Sequence, residues 1–410
     1  MGRYLSLLRV GGVPRLLAAA VLSRISGTMV GVTLALSVLH SGGSIGSAGW
    51  TLTAHAVALA SLAPLGGRLV DRFGARPAMV GYVAANATAF GLLAVTLAGS
   101  RDAALIPLAA ALVGATNPPT SAVLRGQWPR IVEKDLLHTA YAVDSVTNSA
   151  MFVVGPPFAG LVTAAASPLT AVVVAASAKL AGDSLLAWAP GLVGGSVGTT
   201  TRSRRILRSR PVRRLLTIAA LDTFTYGCLE VFAVSLGGSA AEMTGVLLGL
   251  VALGEVIGVL TYGSRLWRRS RVLQLASLHV ATLAAVVVLG ATTLIVVTGV
   301  ALVVAGAVGG ARDTINQTLL AESAEERFRT GTFAWLTTVM WGGFAVGTAT
   351  AGTAHDRGGT VAVVACAALA SATAVTVTLR MRSAEPGPRR RRPGAPAAVA
   401  HSDADRGPRR

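Results

Sequence analysis

The sequence predicts an all-α integral membrane protein with twelve transmembrane helices in two pseudo-symmetric six-helix bundles. Three observations predict it. Apolar residues make up 52% of the 410-residue chain and charged residues only 13%, about half the charged fraction of a soluble domain. Apolar runs long enough to cross ~30 Å of hydrocarbon recur from one end to the other. The arginines between those runs fall almost entirely in alternate connections, the bias that sets the orientation of membrane proteins.

Taken in order, the spans are expected near 14–39, 46–66, 78–99, 103–124, 138–164, 168–188, 213–236, 241–262, 271–290, 293–313, 330–353 and 359–380. Backbone amides in hydrocarbon need internal partners, so runs of this length are helices. Arg3 and Arg9 before the first run resemble a signal peptide. The apolar stretch from Leu16 to Leu39 nevertheless exceeds an h-region of roughly 7–15 residues and reads as a retained first span. The stretch 272–311 is almost unbroken and would make ~60 Å of helix, twice the bilayer core. Splitting it near 290–293 returns its basic ends, Arg271 and Arg312, to one side.

With the amino terminus inside, Arg72, Arg76, Arg125, Arg130, the arginines of 202–214, 265–271 and 312–329, and the carboxyl tail are all cytoplasmic. Only Arg101 and Arg357 fall in outer loops. Both termini are therefore expected in the cytoplasm of a cell whose inner membrane the chain crosses. The longest connection is rich in Gly, Ser, Thr and Arg and organises the chain. A first six-helix bundle covers 1–190, a basic linker 191–212, a second bundle 213–380, and a Pro-, Gly-, Ala- and Arg-rich tail 381–410 is expected to be disordered. The net charge of +18 then reads as topology and attraction to anionic lipid rather than nucleic-acid binding; a regulatory partner for the basic segments is the second reading. Lys134 and Lys179 are the only lysines, and the abundance of Arg, Ala, Gly and Val suggests a high-GC bacterial genome. Cys228 and Cys366 lie inside apolar runs as small packing residues. No metal-ligand spacing occurs and no cofactor is expected.

At the second and third spans the chain reads Gly66-Gly67-Arg68-Leu69-Val70-Asp71-Arg72-Phe73-Gly74-Ala75-Arg76-Pro77. With Gly67, Asp71, Arg72, Gly74 and Arg76 in place, this resembles the loop signature of the major facilitator superfamily. The resemblance implies a gate lock in which Asp71 sits against the positive start of span eleven, near 330–332, and the arginines meet acids or carbonyls of neighbouring helices. Gly263, Arg265, Arg268 and Arg269 between spans eight and nine look like a decayed copy without the aspartate. In span five, Gly155-Pro156-Pro157-Phe158-Ala159-Gly160 resembles the tail of the Gly-Pro signature of drug and metabolite antiporters, with Met151 where an upstream glycine would stand. Its other reading is a proline kink with close helix packing. Asn117-Pro118-Pro119 suggests a second kink. The arginine that many proton-coupled antiporters bury in span four is absent, and Arg125 lies at that span's cytoplasmic end.

Ionisable groups inside spans are costly and mark functional candidates. Asp222, Glu230, Glu255 and Asp183 are the proton-coupling candidates. Arg24 and Lys179 are cavity charges, and Trp335 and Trp341 either wall a cavity for a flat ligand or simply pack. Lys179 and Asp183 stand four apart and can pair on one helix face. Glu255, in a glycine-rich stretch, is either a packed contact or a proton site. Asp144 reads as a capping or loop residue and His279 as a satisfied buried histidine. Aligning Arg15-Leu16-Leu17 with Arg214-Leu215-Leu216 puts Arg24 and Asp222 at nearly one depth, ~13 Å from the cytoplasmic boundary. They are expected to pair in one access state and separate in the other; alternatively each bonds within its own half.

The resemblance implies a secondary transporter working by alternating access with substrate near the midplane. Proton-coupled export of a small, moderately apolar drug or metabolite is the leading reading and uptake symport the second. A membrane enzyme is the rival class and a non-transporting receptor or scaffold the third. The residues argue against an enzyme: there is no His-rich metal set, no phosphate-cradling glycine loop with lysine and no nucleophile triad. The expected partners are a small-molecule substrate, protons and the lipid bilayer, without nucleic acid, and the chain is expected to be a monomer.

Overall fold

The computed structural model describes residues 2–99, 105–189, 208–238, 240–263, 270–324 and 329–382. All the elements among them are helices: α1 (Gly2–Arg9), α2 (Val13–His40), α3 (Ile45–Phe73), α4 (Ala75–Gly99), α5 (Leu105–Ala115), α6 (Thr120–Ile131), α7 (Lys134–Ala165), α8 (Pro168–Ala187), α9 (Arg210–Gly237), α10 (Ala241–Gly263), α11 (Arg271–Ala291), α12 (Ile295–Ser323) and α13 (Arg329–Arg382). The expected linker and tail lie largely outside the described residues.

Among the described residues, ten helices are long and apolar enough to cross a membrane. The last of them, α13, supplies two crossings, because its helical geometry breaks at Gly358 and at Gly359, where φ is 64°. Leu336 of its first arm and Met381 of its second both pack around Leu215 and Leu216, so the chain doubles back. A further crossing is made by α5 and α6, interrupted at Asn117-Pro118-Pro119. The two prolines there lack an N–H and push the residues before them out of the helical region. Ten, plus one for the doubled α13 and one for α5–α6, gives the twelve spans expected. The long apolar stretch divides between Ala291 and Ile295, close to the expected split.

Two placements differ from expectation. The Gly67–Asp71–Arg72 signature is not a loop, because α3 runs through it to Phe73. The turn is Gly74 alone, with φ 85° and its N–H on the Val70 carbonyl at 2.9 Å. Only glycine enters that left-handed region without steric cost, so the helix ends there and α4 starts at Ala75. Arg312, expected at a cytoplasmic boundary, lies inside α12, which continues to Ser323, and is 6% exposed. An apolar run ends where charge begins, but a helix continues wherever its charges find partners.

The core explains how the spans assemble. Toward the arginine-rich end, the first six spans bury Leu16, Met79, Leu124, Trp128 and Leu186 together. The last six gather Leu215, Leu216, Leu320 and Leu336 separately, beside Ile218, Leu275 and Ile315. Toward the other end one cluster mixes both sets, joining Met29, Leu36 and Ala159 to Phe232, Leu247 and Leu302. The two sets of spans are thus joined at the end away from the arginines and keep separate cores at the arginine-rich end.

Candidate functional site

The joint is built at two helix crossings. In the first, α3 meets the first arm of α13. Ser44 caps α3 by accepting from the Ser47 N–H at 3.1 Å. The Asp356 carboxylate sits at the same helix start, accepting from Ser44 Oγ at 2.9 Å and from the Gly46 N–H at 3.0 Å. A carboxylate there meets the positive end of the helix dipole. Further along, Thr53 Oγ1 lies 2.9 Å from the Ala345 carbonyl and 3.0 Å from the Thr348 hydroxyl. Between these contacts, Gly49 lies so close that a Cβ on it would come 2.5 Å from the Thr348 carbonyl oxygen.

The second crossing brings together the Gly-Pro signature of α7 and the start of α10. A Cβ on Gly245 would come 2.5 Å from the Pro156 carbonyl oxygen, and one on Gly160 equally close to that of Ala241. The Pro157 ring fills the space in front of Gly249, and Gly155 faces the Thr28 side chain of α2. Thr28 Oγ1 in turn donates to the Met151 carbonyl at 3.0 Å. Gly155, Pro156 and Gly160 therefore sit where α7, α2 and α10 meet.

Buried charges pair within each set of spans. Arg24 donates through Nη2 to Asp144 Oδ1 at 2.7 Å and through Nη1 to the Asp144 carbonyl at 3.0 Å. Arg125 Nε reaches Asp144 Oδ2 at 3.3 Å. The expected pairing of Arg24 with Asp222 is not formed, and Asp144 is no capping residue but a buried counter-ion. A one-residue offset turns a side chain by ~100°, enough to aim Arg24 at α7 instead of α9. Lys179 pairs with Asp183 at 3.2 Å, four residues on as expected, and also donates to Ser23 Oγ at 2.9 Å. Thr120 Oγ1 donates to Asp183 Oδ1 at 2.6 Å.

In the last six spans, Asp222 Oδ1 lies 3.2 Å from Arg312 Nη1 and 3.1 Å from His279 Nε2. Arg312 Nη1 also donates to Thr282 Oγ1 at 2.9 Å, and the next residue, Asp313, accepts from Gln317 Nε2 at 2.6 Å. Glu255 of α10 is in Coulombic reach of Arg312 and Asp313. Glu230 is buried and faces α2: a Cβ on Gly31 would come 2.6 Å from its Oε1. One turn beyond Asp222, Tyr226 stands 6.2 Å from the Phe344 ring, which Trp341 meets edge-on at 5.8 Å. Trp335 lies apart from that group, half-buried in the apolar cluster around Leu215.

Of the signature residues, Arg76 donates to the Ala189 carbonyl at 3.2 Å with its guanidinium 6.0 Å from the Trp188 ring. Arg72 is exposed and lies over Phe73, and Gly67 is half-buried in α3. The Asp71 side chain and residues 325–328, before span eleven, lie outside the described residues. Sequence reasoning missed Asp144, Arg312, Asp313 and Asp356 as members of the site. For Asp356 a signal existed: an acid just before a Gly-Gly reversal, at the same membrane face as a serine-capped helix start.

Residues 16–310 match the sequence profile of the Major Facilitator Superfamily. The chain belongs to that superfamily. A curated relative, the uncharacterized MFS-type transporter y4rN of Sinorhizobium fredii strain NGR234, is 29% identical over 276 residues, 63% of this chain and 68% of the relative. Among solved structures, a point mutant of the nucleoside transporter NupG superposes with a TM-score of 0.73 at 11% identity, covering 90% of this chain and 99% of that one. A bacterial homologue of the iron transporter ferroportin, solved in an inward-facing state, gives 0.72 at 15% identity over 92% and 99%. At such identities these structures show the fold alone. This superfamily member is a multi-pass membrane transporter of a small-molecule substrate and not an enzyme.

Proposed function

We propose that this transporter exports a small, moderately apolar drug or metabolite by alternating access, driven by protons. Residues 1–190 and 213–380 would be the two moving six-helix bundles, 191–212 their basic linker and 381–410 a cytoplasmic tail. In this reading the arginine-rich end faces the cytoplasm of the inner membrane, both termini are inside, and the working unit is a monomer. The observation that carries it is the one-sided joint: mixed cores and close glycine approaches at the end away from the arginines, separate cores at the other. With the arginine-rich end inside, such a joint supports a state closed outside, one of the two that alternating access requires. Export is favoured by the Gly-Pro residues at the α7–α10 crossing, where Gly155, Pro156 and Gly160 help to hold the outer side shut. Substrate would bind at mid-depth, between Arg24 on one side and Asp222, Tyr226 and Trp341 on the other. Asp222, Glu230, Glu255 and Asp183 supply the acids for coupling.

The test is flux in liposomes holding the purified protein, with ethidium, a flat and moderately apolar cation, as first cargo. An inward proton gradient should drive ethidium out against its own gradient. Movement with the protons would support uptake symport instead. Gradient-independent equilibration would remove the proton coupling. External labelling of single cysteines at positions 205 and 390 in intact cells would overturn the orientation.

A further inference from the structure

We propose that Asp222 and His279 together hold one exchangeable proton, and that its loss transfers Asp222 from His279 to Arg312. The inference deepens the proton-coupled reading above and takes its functional meaning from it. His279 is 0% exposed, and both ring nitrogens face oxygens. Nδ1 lies 2.8 Å from the Leu275 carbonyl, an acceptor only. The Thr378 hydroxyl is 3.5 Å from Nδ1 but gives its one hydrogen to the Ala374 carbonyl at 2.8 Å, so it has none for the ring. Nδ1 must therefore carry a hydrogen. Nε2 faces Asp222 Oδ1 at 3.1 Å, and a carboxylate is likewise an acceptor only. The contact needs a second hydrogen, either on Nε2 or on the carboxyl. Both descriptions contain one proton more than a neutral imidazole beside a carboxylate.

The surroundings give that proton a route and a counterweight. The Asp222 side chain retains 16% of its accessible surface, whereas His279 has none, so exchange with water passes through the carboxylate. The charged groups packed around the pair are Arg312 and Asp313 of α12 and Glu255 of α10. The bound proton adds one positive charge to this cluster beside Arg312; without it, His279 is neutral and that charge is gone.

A second observation says where Asp222 goes next. Arg312 Nε is buried and finds no partner among the described residues, although Nη1 already touches Asp222. When the proton leaves to water, a carboxylate and a ring lone pair face each other at contact distance with no hydrogen between them. The carboxylate then gains by rotating onto Nε and Nη of Arg312, a two-point contact of the kind guanidinium favours. The exchange shifts the hold of α9 from α11 to α12.

Nitrogen-15 NMR of the full chain in lipid nanodiscs reads this directly. The His279 and Arg312 signals are assigned by their disappearance in His279→Gln and Arg312→Lys. We expect His279 to show both nitrogens protonated at acidic pH and to lose that form as pH rises, with the Arg312 Nε signal moving over the same range. In Asp222→Asn, whose amide can donate to Nε2, His279 should be neutral throughout. A neutral His279 in the unaltered protein down to about pH 5, or a cationic one that survives Asp222→Asn, overturns the shared proton. A stationary Arg312 signal overturns the transfer. Because the spectra need no cargo, failure of proton-driven flux would leave this result standing, and a neutral His279 would sink it even where flux is proton-driven.

Discussion

Replacing Asp356 with alanine should open the joint at the end away from the arginines without disturbing either set of spans. The carboxylate makes two hydrogen bonds to the start of α3, at 2.9 and 3.0 Å. A hydrogen bond to a charged group contributes about 1.5–3 kcal/mol where water is excluded. Asp356 is exposed, so each is taken at the low end of ordinary bonds, about 0.5–1 kcal/mol, plus about 0.3–1 kcal/mol for the helix end. The total, about 2 kcal/mol, corresponds to roughly a thirtyfold shift toward the state parted at that end, at 1.4 kcal/mol per factor of ten. Pulsed EPR distances between spin labels at positions 40 and 293, in a variant lacking Cys228 and Cys366, would report it. The Asp356→Ala protein should gain a long-distance population, and Asp356→Asn, which can still accept from Gly46, should fall between. Ser44→Ala removes one of the two bonds across the joint, together with the side-chain cap of α3, and should move the distribution less. Distributions in lipid identical to that of the unaltered protein would show that Asp356 holds nothing closed.

Three further outcomes rest on the same contacts. Asp144→Ala strands Arg24 as a buried unpaired charge and should lower stability by about 3–5 kcal/mol; a double Arg24→Met, Asp144→Leu variant should recover most of the loss in a thermal melt, and equal melting of Asp144→Ala and the unaltered protein would refute the pair. Gly245→Val drives a side chain toward the Pro156 carbonyl and should weaken cross-linking between cysteines placed on α7 and α10; undiminished cross-linking would show the crossing has slack. Asp71→Asn should lower flux at unchanged expression and melting temperature if the superfamily lock operates here, and full flux would remove it.

The parts of the fold that could be read from sequence are those decided locally. Hydropathy and arginine placement fix which segments face lipid, so the spans were legible, including the split near Ala291. Helix ends were less so, because polar residues carry α3 to Phe73 and α12 to Ser323 beyond the apolar stretches. The Lys179–Asp183 pair was legible because four residues is one helical turn. The partner that Arg24 takes in this structure was not legible for the opposite reason. Its partner depends on which helix packs against α2 and on a rotation that a one-residue alignment error moves by ~100°. Asp144 and Arg312 looked like boundary charges because each sits within a few turns of basic residues; only packing shows that each is buried against an opposite charge.

The separation of strong from weak contacts bears on how such a chain can move. Each buried ion pair among the described residues, Arg24–Asp144, Lys179–Asp183 and the Asp222 pairs with Arg312 and His279, lies within one set of six spans. Breaking one during every cycle would cost on the order of 3–5 kcal/mol. What crosses between the sets carries no buried ion pair among the described residues: the shared apolar cluster, glycine-to-backbone approaches, threonine and serine hydroxyls, and the exposed Asp356 carboxylate. Each of the hydrogen bonds among these is worth about 1 kcal/mol and finds water as a substitute when the helices part. The sets can therefore rock against each other with their interior charges satisfied throughout. Glu230 is the buried acid at this seam, held against Gly31 of α2, so parting the helices exposes it to solvent. The proposed movement of Asp222 fits the same economy, since His279 and Arg312 both belong to its own set. A change of protonation then alters the packing of α9, α11 and α12 without breaking any contact across the seam, and the seam responds only through the tilt of the helices that carry it.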